Sequence, residues 1–444
     1  MSRNESLGNP GAALLLITAI LLVAPGAWAQ NSYKTLHRFK QGKGGVDPAG
    51  GLIFDQGGSL YGTTVYGGNV DEGTVFKLIP QSDGSWSEDI LYSFCSRTSC
   101  VTGYNPSASL IFDAAGNLYG TTTIGGDGQF GEGGTVFKIA PNSNGAWTES
   151  VLYNFCSAAN CGDGGTPMAG LIFDQSGNLY GTTSEGGAGQ YGVGGTVFKL
   201  APNSDGTWTE STLYHFCSLT NCSDGANPLS ALIFDAAGNL YGTAYRGGGS
   251  SRCNEGCGVV FELTPNSGGG WTESVPYSFC SLNKCRDGSD PVAGLIFDQA
   301  GNLYGTAWYG GDPACNGEGV GCGVVFELTR NKNGSWTEQV LHSFRGRNGA
   351  EPNGLTFGPA GNLYGSTVWG GDLSGCFAGC GVVFKLAPNS NGGWKETVLH
   401  TFVDHPGASP VGGALIFGAN GNLYGETAGD GNIQTFGSVF EISP

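Results

Sequence analysis

The sequence contains few charged residues, and especially few basic ones. Lys and Arg number 19 against 36 Asp and Glu, which gives a formal net charge of −17 at pH 7. Nucleic acids and anionic membranes bind positively charged protein surfaces. Because this chain is strongly acidic, we expect neither as a partner. Charged residues make up only 12 % of the chain, whereas glycine occurs 82 times. This composition favours short strands joined by turns over helices.

Long apolar runs are scarce as well. One spans residues 12–23 and is followed by the small-x-small site at residues 27–29. This pattern is typical of a secretory signal peptide, here residues 1–29, so we expect residues 30–444 to form one exported domain, secreted or periplasmic. Nothing else approaches the roughly 20 apolar residues of a membrane-spanning helix, so no membrane span is expected.

Histidine is rare too, with five residues in the chain. His37, His342 and His400 stand where other parts of the sequence have Tyr, and His215 stands next to that position. Only His405 lies in an unusual loop. No Ser-His-Asp or Cys-His arrangement is indicated, which favours a binding protein over an enzyme.

What the sequence does have is a repeat. A phrase close to Leu-Ile-Phe-Asp-x-x-Gly-Asn-Leu-Tyr-Gly-Thr recurs with a period of 58 to 63 residues and starts at Leu52, Leu110, Leu171, Leu232, Leu295, Leu355 and Leu415. A period of this length indicates a fold in which each unit buries its faces against its neighbours. The Asp-x-x-Gly-Asn part of the phrase predicts a turn, because it lacks the alternating oxygen ligands of a calcium loop.

Each repeat contains four strand-like runs. In the second repeat they are residues 110–113, 118–122, 135–139 and 147–155, separated by glycine-bearing turns and one loop. Four antiparallel strands, apolar on both faces, are typical of a propeller blade. The last repeat ends with its third strand, whereas residues 33–39 resemble a fourth strand. We therefore predict an all-β, seven-bladed β-propeller that is closed by the N-terminal strand completing the last blade.

Aromatic residues recur at fixed positions of the repeat. A residue that occurs in every blade is expected to pack between blades rather than to form a stacking site. The tryptophan series lies in the fourth strand and comprises Trp86, Trp147, Trp208, Trp271, Trp336 and Trp394, and the tyrosine series lies in the second and comprises Tyr61, Tyr119, Tyr180, Tyr241, Tyr304, Tyr364 and Tyr424.

The 14 cysteines form seven close pairs. In an exported chain such pairs predict local disulfides, which would shape loops more than hold the fold. A zinc site would need two pairs to converge, so no metal is expected at the cysteines. The predicted disulfides join Cys95 to Cys100, Cys156 to Cys161, Cys217 to Cys222, Cys253 to Cys257, Cys280 to Cys285, Cys315 to Cys322 and Cys376 to Cys380. All seven fall in the loops between second and third strands or in the links between blades, so one face of the ring is expected to be variable and braced.

Two sets of residues on that face are candidates for function. The first set precedes a proline before each first strand, and every member carries a side-chain oxygen: Asp47, Asn105, Thr166, Asn227, Asp290, Glu351 and Ser409. By pseudo-symmetry this polar ring would surround the mouth of the central channel, where it caps turns or holds Ca²⁺ or a polar ligand. No other cofactor is indicated.

The second set follows the Leu-Tyr-Gly-Thr strand, at a position where the blades differ. Its aromatic and basic members are candidates for stacking on a sugar ring or a peptide: Tyr66, Tyr245, Arg246, Trp308, Tyr309 and Trp369. Loop packing is the alternative. Catalytic residues are unknown. Five carboxylates on the links between blades are candidates for a pair of catalytic acids: Asp163, Asp224, Asp287, Asp290 and Glu351.

Residues 170–174, 177–183 and 195–200 resemble the GloVer tandem repeat of secreted bacterial proteins, and the resemblance extends from about residue 33 to the end. Family members often carry a C-terminal surface anchor, whereas this chain ends on a repeat, which implies a released or periplasmic protein. The family implies no activity.

We therefore expect a monomeric, secreted propeller that binds a glycan or peptide of the cell envelope or surroundings through its braced face. The alternatives are a glycan hydrolase or lyase on the same scaffold, and a structural surface protein without a small ligand.

Overall fold

The structure is a computed structural model that describes residues 32–95, 100–130, 132–187, 194–315, 321–374, 376, 378–403, 409–429 and 436–444. The predicted signal peptide and His405 lie outside the described residues. Within the described ranges the only helical segments are four single turns of 3₁₀ helix, at Ala159–Cys161, Thr220–Cys222, Asn283–Cys285 and Pro359–Gly361. None of them has the length or the apolar character to cross a membrane.

Seven antiparallel sheets follow one another along the chain, as the repeat predicts. After β1 (Tyr33–Arg38), blade one contains β2 (Gly45–Pro48), β3 (Ile53–Phe54), β4 (Leu60–Gly67), β5 (Thr74–Pro80) and β6 (Trp86–Ser93). Blade two contains β7 (Ile111–Phe112), β8 (Leu118–Thr122), β9 (Thr135–Pro141) and β10 (Trp147–Asn154). Blade three contains β11 (Ile172–Phe173), β12 (Leu179–Thr183), β13 (Thr196–Pro202) and β14 (Trp208–His215). In blade one, β2 and β3 are two parts of the innermost strand, and both pair with β4.

The remaining four blades repeat this order. Blade four contains β15 (Ile233–Phe234), β16 (Leu240–Ala244), β17 (Val259–Pro265) and β18 (Trp271–Ser278), and blade five contains β19 (Ile296–Phe297), β20 (Leu303–Ala307), β21 (Val324–Arg330) and β22 (Trp336–Ser343). Blade six contains β23 (Ala350–Phe357), β24 (Leu363–Trp369), β25 (Val382–Pro388) and β26 (Trp394–Thr401). Blade seven contains β27 (Pro410–Phe417), β28 (Leu423–Thr427) and β29 (Ser438–Ile442).

The N-terminal strand closes the ring. β1 pairs antiparallel with β29, from Tyr33 opposite Ile442 to Arg38 opposite Ser438, so the sheet order is β1, β29, β28, β27. The first described strand of the chain thus covers the outer edge of the last blade, which would otherwise expose unpaired backbone groups. The predicted seven-bladed, all-β propeller with N-terminal closure is confirmed.

The recurring aromatic residues pack between blades, as predicted. Tyr61 of blade one makes edge contacts with Phe112 and Trp147 of blade two, at centroid distances of 5.1 and 6.5 Å. The same arrangement joins Tyr119 to Trp208 at 6.4 Å, and it recurs around the ring. Each interface also buries Leu, Val and Phe side chains of the second and third strands, so the core is a series of inter-blade layers.

The Asp-x-x-Gly-Asn phrase forms a turn, also as predicted. Asp113 Oδ1 accepts hydrogen bonds from the backbone of Ala115 and Asn117, both at 2.9 Å, and Oδ2 accepts one from the Tyr119 hydroxyl at 3.0 Å. These bonds outweigh the effect of burial and hold the pKa of Asp113 below its usual value. The carboxylate is thus used within the turn.

Threonine hydroxyls of the second strands bond to the backbone that leads into the innermost strand of the next blade. Thr63 Oγ1 donates to the backbone oxygen of Ala108 in the next blade at 3.1 Å, and Thr121 repeats this contact with Ala169 at 3.3 Å. At the last interface Glu426 takes the place of threonine, and its Oε2 accepts a hydrogen bond from the backbone N–H of Gly51 at 2.9 Å. These contacts fix the wall of the central channel.

Candidate functional site

The braced face predicted from the cysteines is present. All seven predicted disulfides form. The links meet the loops between second and third strands through backbone bonds: Gly187 N–H donates to the Cys161 oxygen at 2.8 Å, and Gly248 N–H donates to the Cys222 oxygen at 2.9 Å. Because both kinds of loop are hydrogen-bonded to each other, they lie on one face of the ring.

The seven residues of the polar ring share one backbone conformation. Each has a φ between 53° and 59°, in the left-handed region that residues with a side chain seldom adopt, although each precedes a proline. Each backbone N–H donates to the preceding blade, as Thr166 does to Gly133 at 2.7 Å and Asp290 to Cys257 at 2.9 Å. Neighbouring blades are thus connected at these steps, and this connection holds the strained conformation.

The prolines complete these connections between blades. A Cβ added to Gly134 would lie 2.7 Å from the Cδ of Pro167, and one added to Gly323 would lie 2.5 Å from the Cδ of Pro352. Each proline therefore packs directly on a glycine of the preceding blade, where no side chain fits. This arrangement is a structural reason for the x-Pro steps of the sequence.

Several side chains of the polar ring are used locally. Asp47 Oδ1 accepts a hydrogen bond from Gly429 N–H at 2.7 Å, and Asn227 Nδ2 donates to the Ser184 oxygen at 2.8 Å. In the described part of the chain, no three carboxylate or imidazole groups come within metal-binding range of one another. These contacts fit the turn-capping alternative, and binding of Ca²⁺ or another ligand by the ring stays a prediction.

The two candidate sets are hydrogen-bonded to each other. Tyr245 N–H donates to the Asn227 oxygen at 3.0 Å, and Trp308 N–H donates to the Asp290 oxygen at 3.2 Å. The residue that enters a blade therefore lies beside the residue that follows the second strand of the same blade. Sequence positions about 18 apart are brought together on one face.

On blades four to six these side chains form a cluster of aromatic and charged groups. We call it the blade four–six cluster, and its members are all partly exposed: Tyr245, Arg246, Asp290, Trp308, Tyr309, Glu351 and Trp369.

Electrostatic interactions connect the cluster across three blades. Burial raises the pKa of Tyr309 to about 12, with smaller contributions from the charges of Glu351 and Asp290 and from Tyr245. Burial likewise raises the pKa of Glu351, whereas hydrogen bonds from Tyr309 and Trp369 lower it by a smaller amount. Because these residues perturb one another, the cluster is a single electrostatic unit.

The carboxylate of Asp290 has few partners. Burial raises its pKa to about 6, and the positive charge of Arg246 opposes that rise. Arg246 is already engaged, because its guanidinium pairs with Glu255 and lies over the ring of Tyr245, 5.3 Å from the centroid. Asp290 therefore remains able to accept hydrogen bonds from a ligand.

A central cavity of about 540 Å³ lies along the ring axis and is lined by residues from all seven blades. The lining begins immediately after each x-Pro step, so the polar ring itself lies just outside it. Most of the lining is Ala, Gly and Ser, with Trp308 as its aromatic member. The indole Nε1 of Trp308 is buried and has no hydrogen-bond partner, an exception to the usual pairing of buried polar groups.

Three of the carboxylates considered for acid catalysis anchor the links. Asp163 accepts hydrogen bonds from the Tyr153 hydroxyl at 2.8 Å and from Ser157 N–H at 2.9 Å. Asp224 and Asp287 make the corresponding contacts with Tyr214 and Tyr277. These acids are buried and hydrogen-bonded, which leaves Asp290 and Glu351 as the partly exposed candidates.

The Gloeobacter/Verrucomicrobia repeat matches residues 26–193, 149–334 and 250–444. The chain belongs to this repeat family. The resemblance inferred from the sequence is thereby confirmed, and no curated protein matches the sequence.

Solved structures are similar to this chain at low sequence identity. This member of the repeat family is similar to the extracellular domain of a putative hybrid two-component system from B. thetaiotaomicron, with a TM-score of 0.50 and 13 % identity over 93 % of this chain and 41 % of that chain. The repeat protein thus spans less than half of that structure's chain.

A putative oxidoreductase (glucose dehydrogenase) from Thermus thermophilus is also similar, with a TM-score of 0.41 and 15 % identity over 93 % of this chain and 100 % of that chain. A surface component of the type-IX secretion system of Porphyromonas gingivalis has a TM-score of 0.42 and 12 % identity over 85 % of this chain and 45 % of that chain.

Of the six aromatic and basic candidates in this repeat protein, the structure brings five into the blade four–six cluster and leaves Tyr66 apart. Tyr66 lies on blade one, half-exposed and opposite Val46 in the sheet, three blades away from Tyr245. The missed residues directly follow the prolines and line the cavity: Ala49, Ser107, Met168, Leu229, Val292, Asn353 and Val411. These positions differ between repeats that are otherwise uniform, and this variation could have identified them from the sequence.

Proposed function

We propose that this repeat protein is an exported propeller that binds a glycan through the blade four–six cluster. The observation that carries the proposal is the convergence of aromatic rings and two carboxylates from three blades beside the axial cavity. Seven disulfides are typical of proteins outside the cytoplasm, which agrees with an envelope or extracellular ligand.

The chemistry of the cluster suits a sugar. Aromatic rings offer flat apolar surface to the C–H face of a sugar ring, and a few placed polar groups fix its orientation. Asp290 and Glu351 are acceptors for hydroxyl groups. The unpartnered Nε1 of Trp308 is a donor for a ring or hydroxyl oxygen. Donors and acceptors therefore surround an aromatic surface.

A hydrolase is a second candidate, because both Asp290 and Glu351 have raised pKa values. In a hydrolase the two carboxyl groups flank the scissile bond, and at the shorter separation of a retaining enzyme each is expected to raise the pKa of the other. Neither carboxylate contributes to the pKa of the other here. This lack of coupling argues against the short carboxyl separation of a retaining enzyme.

A glycan array tests the proposal. The protein comprising residues 30–444 is screened with and without Ca²⁺, and the screen is repeated with Trp308→Ala and Trp369→Ala variants. We expect specific binding by the wild type and at least a tenfold loss of affinity in both variants. Phe130→Ala is the control, because Phe130 is an exposed aromatic residue on blade two, outside the blade four–six cluster.

Three outcomes would contradict the proposal. If the wild-type protein binds no glycan on the array and binds envelope peptides instead, the ligand is a peptide. Loss of glycan binding in the Phe130 variant alone would place the site elsewhere. Release of reducing sugar from an array hit, abolished by Glu351→Gln, would identify a hydrolase.

A further inference from the structure

Blade four differs from every other blade in its disulfides. Blades one to three each have one disulfide in the link that follows the fourth strand, and blades five and six each have one between the second and third strands. Blade four has both, Cys253 to Cys257 and Cys280 to Cys285. Five of the other six blades have one disulfide each and blade seven has none, so bracing alone does not account for the second disulfide of blade four.

The two disulfides of blade four lie side by side. The sulfur atoms of Cys253, Cys257, Cys280 and Cys285 all lie within 4.8 Å of one another, and no other group of three or more metal-ligating side chains converges in this way in the described ranges. A tetrahedral zinc ion with bonds of about 2.3 Å to sulfur requires edges of about 3.8 Å between the sulfur atoms. The four sulfur atoms are thus close enough to share one metal ion, once each disulfide opens and its two sulfur atoms move apart.

Three basic residues lie beside this cysteine cluster, together with the acidic residues Glu255 and Asp287. The guanidinium of Arg252 donates to the backbone oxygen of Cys280 at 3.3 Å and also to that of Leu282, so it holds the two loops together. Lys284 and Arg286 flank the last of the four cysteines in sequence. Three of only 19 basic residues are thus concentrated here. Positive charge stabilises thiolates and offsets the net charge of −2 on a divalent ion with four thiolate ligands.

The cluster is also sheltered from solvent. Cys257 and Cys280 are buried, with exposed fractions of 0 % and 2 %, and the other two cysteines are partly buried. A structural zinc site is closed in this way, with four protein ligands and no open position for water. Since both loops are anchored to β-strands of one blade, the ligands remain near one another when the disulfides open.

We propose that the four cysteines of blade four are a redox-controlled metal site that holds one Zn²⁺ in its reduced form. In the oxidised form the site is the pair of disulfides seen in the structure. A dithiol reductant transfers two electrons and two protons to each disulfide and becomes a disulfide itself. Zn²⁺ then displaces the four thiol protons and binds four thiolates.

The test uses the folded protein comprising residues 30–444 and Co²⁺ as a spectroscopic probe. A phosphine reductant opens the disulfides, is itself oxidised to the phosphine oxide with oxygen from water, and is removed under anaerobic conditions before metal is added. We expect one equivalent of Co²⁺ to produce the intense visible bands of tetrahedral thiolate coordination. One equivalent of Zn²⁺ should then abolish them. The oxidised protein should show no such bands.

Two double variants locate the site. Cys257→Ser with Cys280→Ser should bind Co²⁺ at least 100-fold more weakly. The matched control, Cys217→Ser with Cys222→Ser, removes the disulfide of the preceding link and should bind Co²⁺ as the wild type does. Equal thiolate bands in both double variants, or none in the reduced wild type, would overturn the proposal.

A second measurement does not depend on the folding of a variant. Reduced wild-type protein is alkylated with iodoacetamide in the presence and absence of one equivalent of Zn²⁺, and the modified peptides are identified by mass spectrometry. Zn²⁺ should protect Cys253, Cys257, Cys280 and Cys285 and leave the other ten cysteines reactive. Protection spread over other pairs, or no protection, would refute the site.

Discussion

Glu426 of the last blade accepts a hydrogen bond from the backbone N–H of Gly51 in the first blade, at 2.9 Å between Oε2 and N. The two residues are 375 positions apart in sequence and meet where the ring closes. Glu426 is buried, with an exposed fraction of 2 %, and its Oε1 has no partner. Burial raises its pKa to about 8. At this interface a titratable group replaces the threonine hydroxyl that bonds to the next blade in blades one to five.

Replacement of this carboxylate should make ring closure less dependent on pH. Because the pKa is higher in the folded than in the unfolded protein, the folded state favours the protonated acid. The resulting stability is present below the unfolded value of 4.5 and is lost as the pH rises through about 8. Glu426→Gln should therefore match the wild type at pH 5 and melt several degrees higher at pH 9. The measurement is Tm by calorimetry.

The exposed residue Glu132 supplies the control for that experiment. Glu132→Gln should leave the difference in Tm between pH 5 and pH 9 unchanged. A Glu426→Gln variant that melts below the wild type at pH 9 would show that the ionised carboxylate stabilises the closure.

A row of glutamates on the fourth strands should make the whole propeller more stable in mild acid. Burial raises the pKa values of Glu149, Glu210, Glu273 and Glu338 to about 7. By the same linkage their contribution is complete below about 4.5 and disappears as the pH approaches 7. We expect Tm to fall between pH 5 and pH 8, and to fall less in a Glu210→Gln, Glu273→Gln double variant. An identical decrease in both proteins would rule these residues out.

Close packing around the glycines of the braced face should add to the cost of substitutions there. Gly134 and Gly145 have nearly the same conformation, with φ of 87° and 85°. A Cβ on Gly134 would lie 2.3 Å from the Thr122 oxygen and 2.7 Å from Pro167, whereas a Cβ on Gly145 would contact nothing within 4 Å.

Both alanine variants pay the left-handed penalty of about 1–2 kcal/mol. Gly134→Ala should be destabilised by at least about 2 kcal/mol more than Gly145→Ala, because overpacking adds to that penalty. Urea unfolding of the two variants measures the difference. Equal destabilisation of the two variants would mean that the residues around Gly134 move to accommodate the added methyl group without cost.

Removal of one link disulfide should leave the β-structure intact. Cys217 and Cys222 close a loop of about six residues, for which the chain-entropy model gives roughly 2 kcal/mol. The Cys217→Ser, Cys222→Ser double variant should retain the far-UV circular dichroism of the wild type and melt only a few degrees lower. Loss of the β-sheet signal would show that the disulfides hold the fold itself.

Glycan binding should weaken in acid if Asp290 accepts hydrogen bonds from the ligand. Its pKa is about 6, so the carboxylate is protonated below that pH and loses acceptor strength. For the glycan retained by the array, we expect several-fold weaker binding at pH 5 than at pH 7.5, measured by calorimetric titration. Asp290→Asn should bind with the same affinity at both pH values. A wild-type affinity that does not change with pH would exclude this role of Asp290.

Most of the fold followed from the repeat because its strands are local. The hairpin of residues 110–122 and the partner strands of residues 135–155 are close in sequence, and each repeat supplies the same inter-blade surface to its neighbour. The pairing of residues 33–39 with the last blade was also predictable, because the seventh repeat lacks a fourth strand. Cysteines at most seven residues apart left little choice of disulfide partner.

The site followed from the sequence only in part. Asp290, Tyr309 and Trp369 were recognisable as variable positions, but nothing in the sequence indicated that their side chains would interact electrostatically. The convergence of Cys253 with Cys280 depends on how two loops fold over the end of one blade.

The sequence by itself therefore determined the number of blades, the closure and the disulfide pairs, since each depends on residues in one repeat or on the count of strands. Only the tertiary structure decided which side chains meet across blades four to six, how Glu426 reaches Gly51, and where four sulfur atoms come together. The physical reason is that loop conformation is fixed by packing against neighbouring blades, so residues far apart in the chain become neighbours only when the ring is closed.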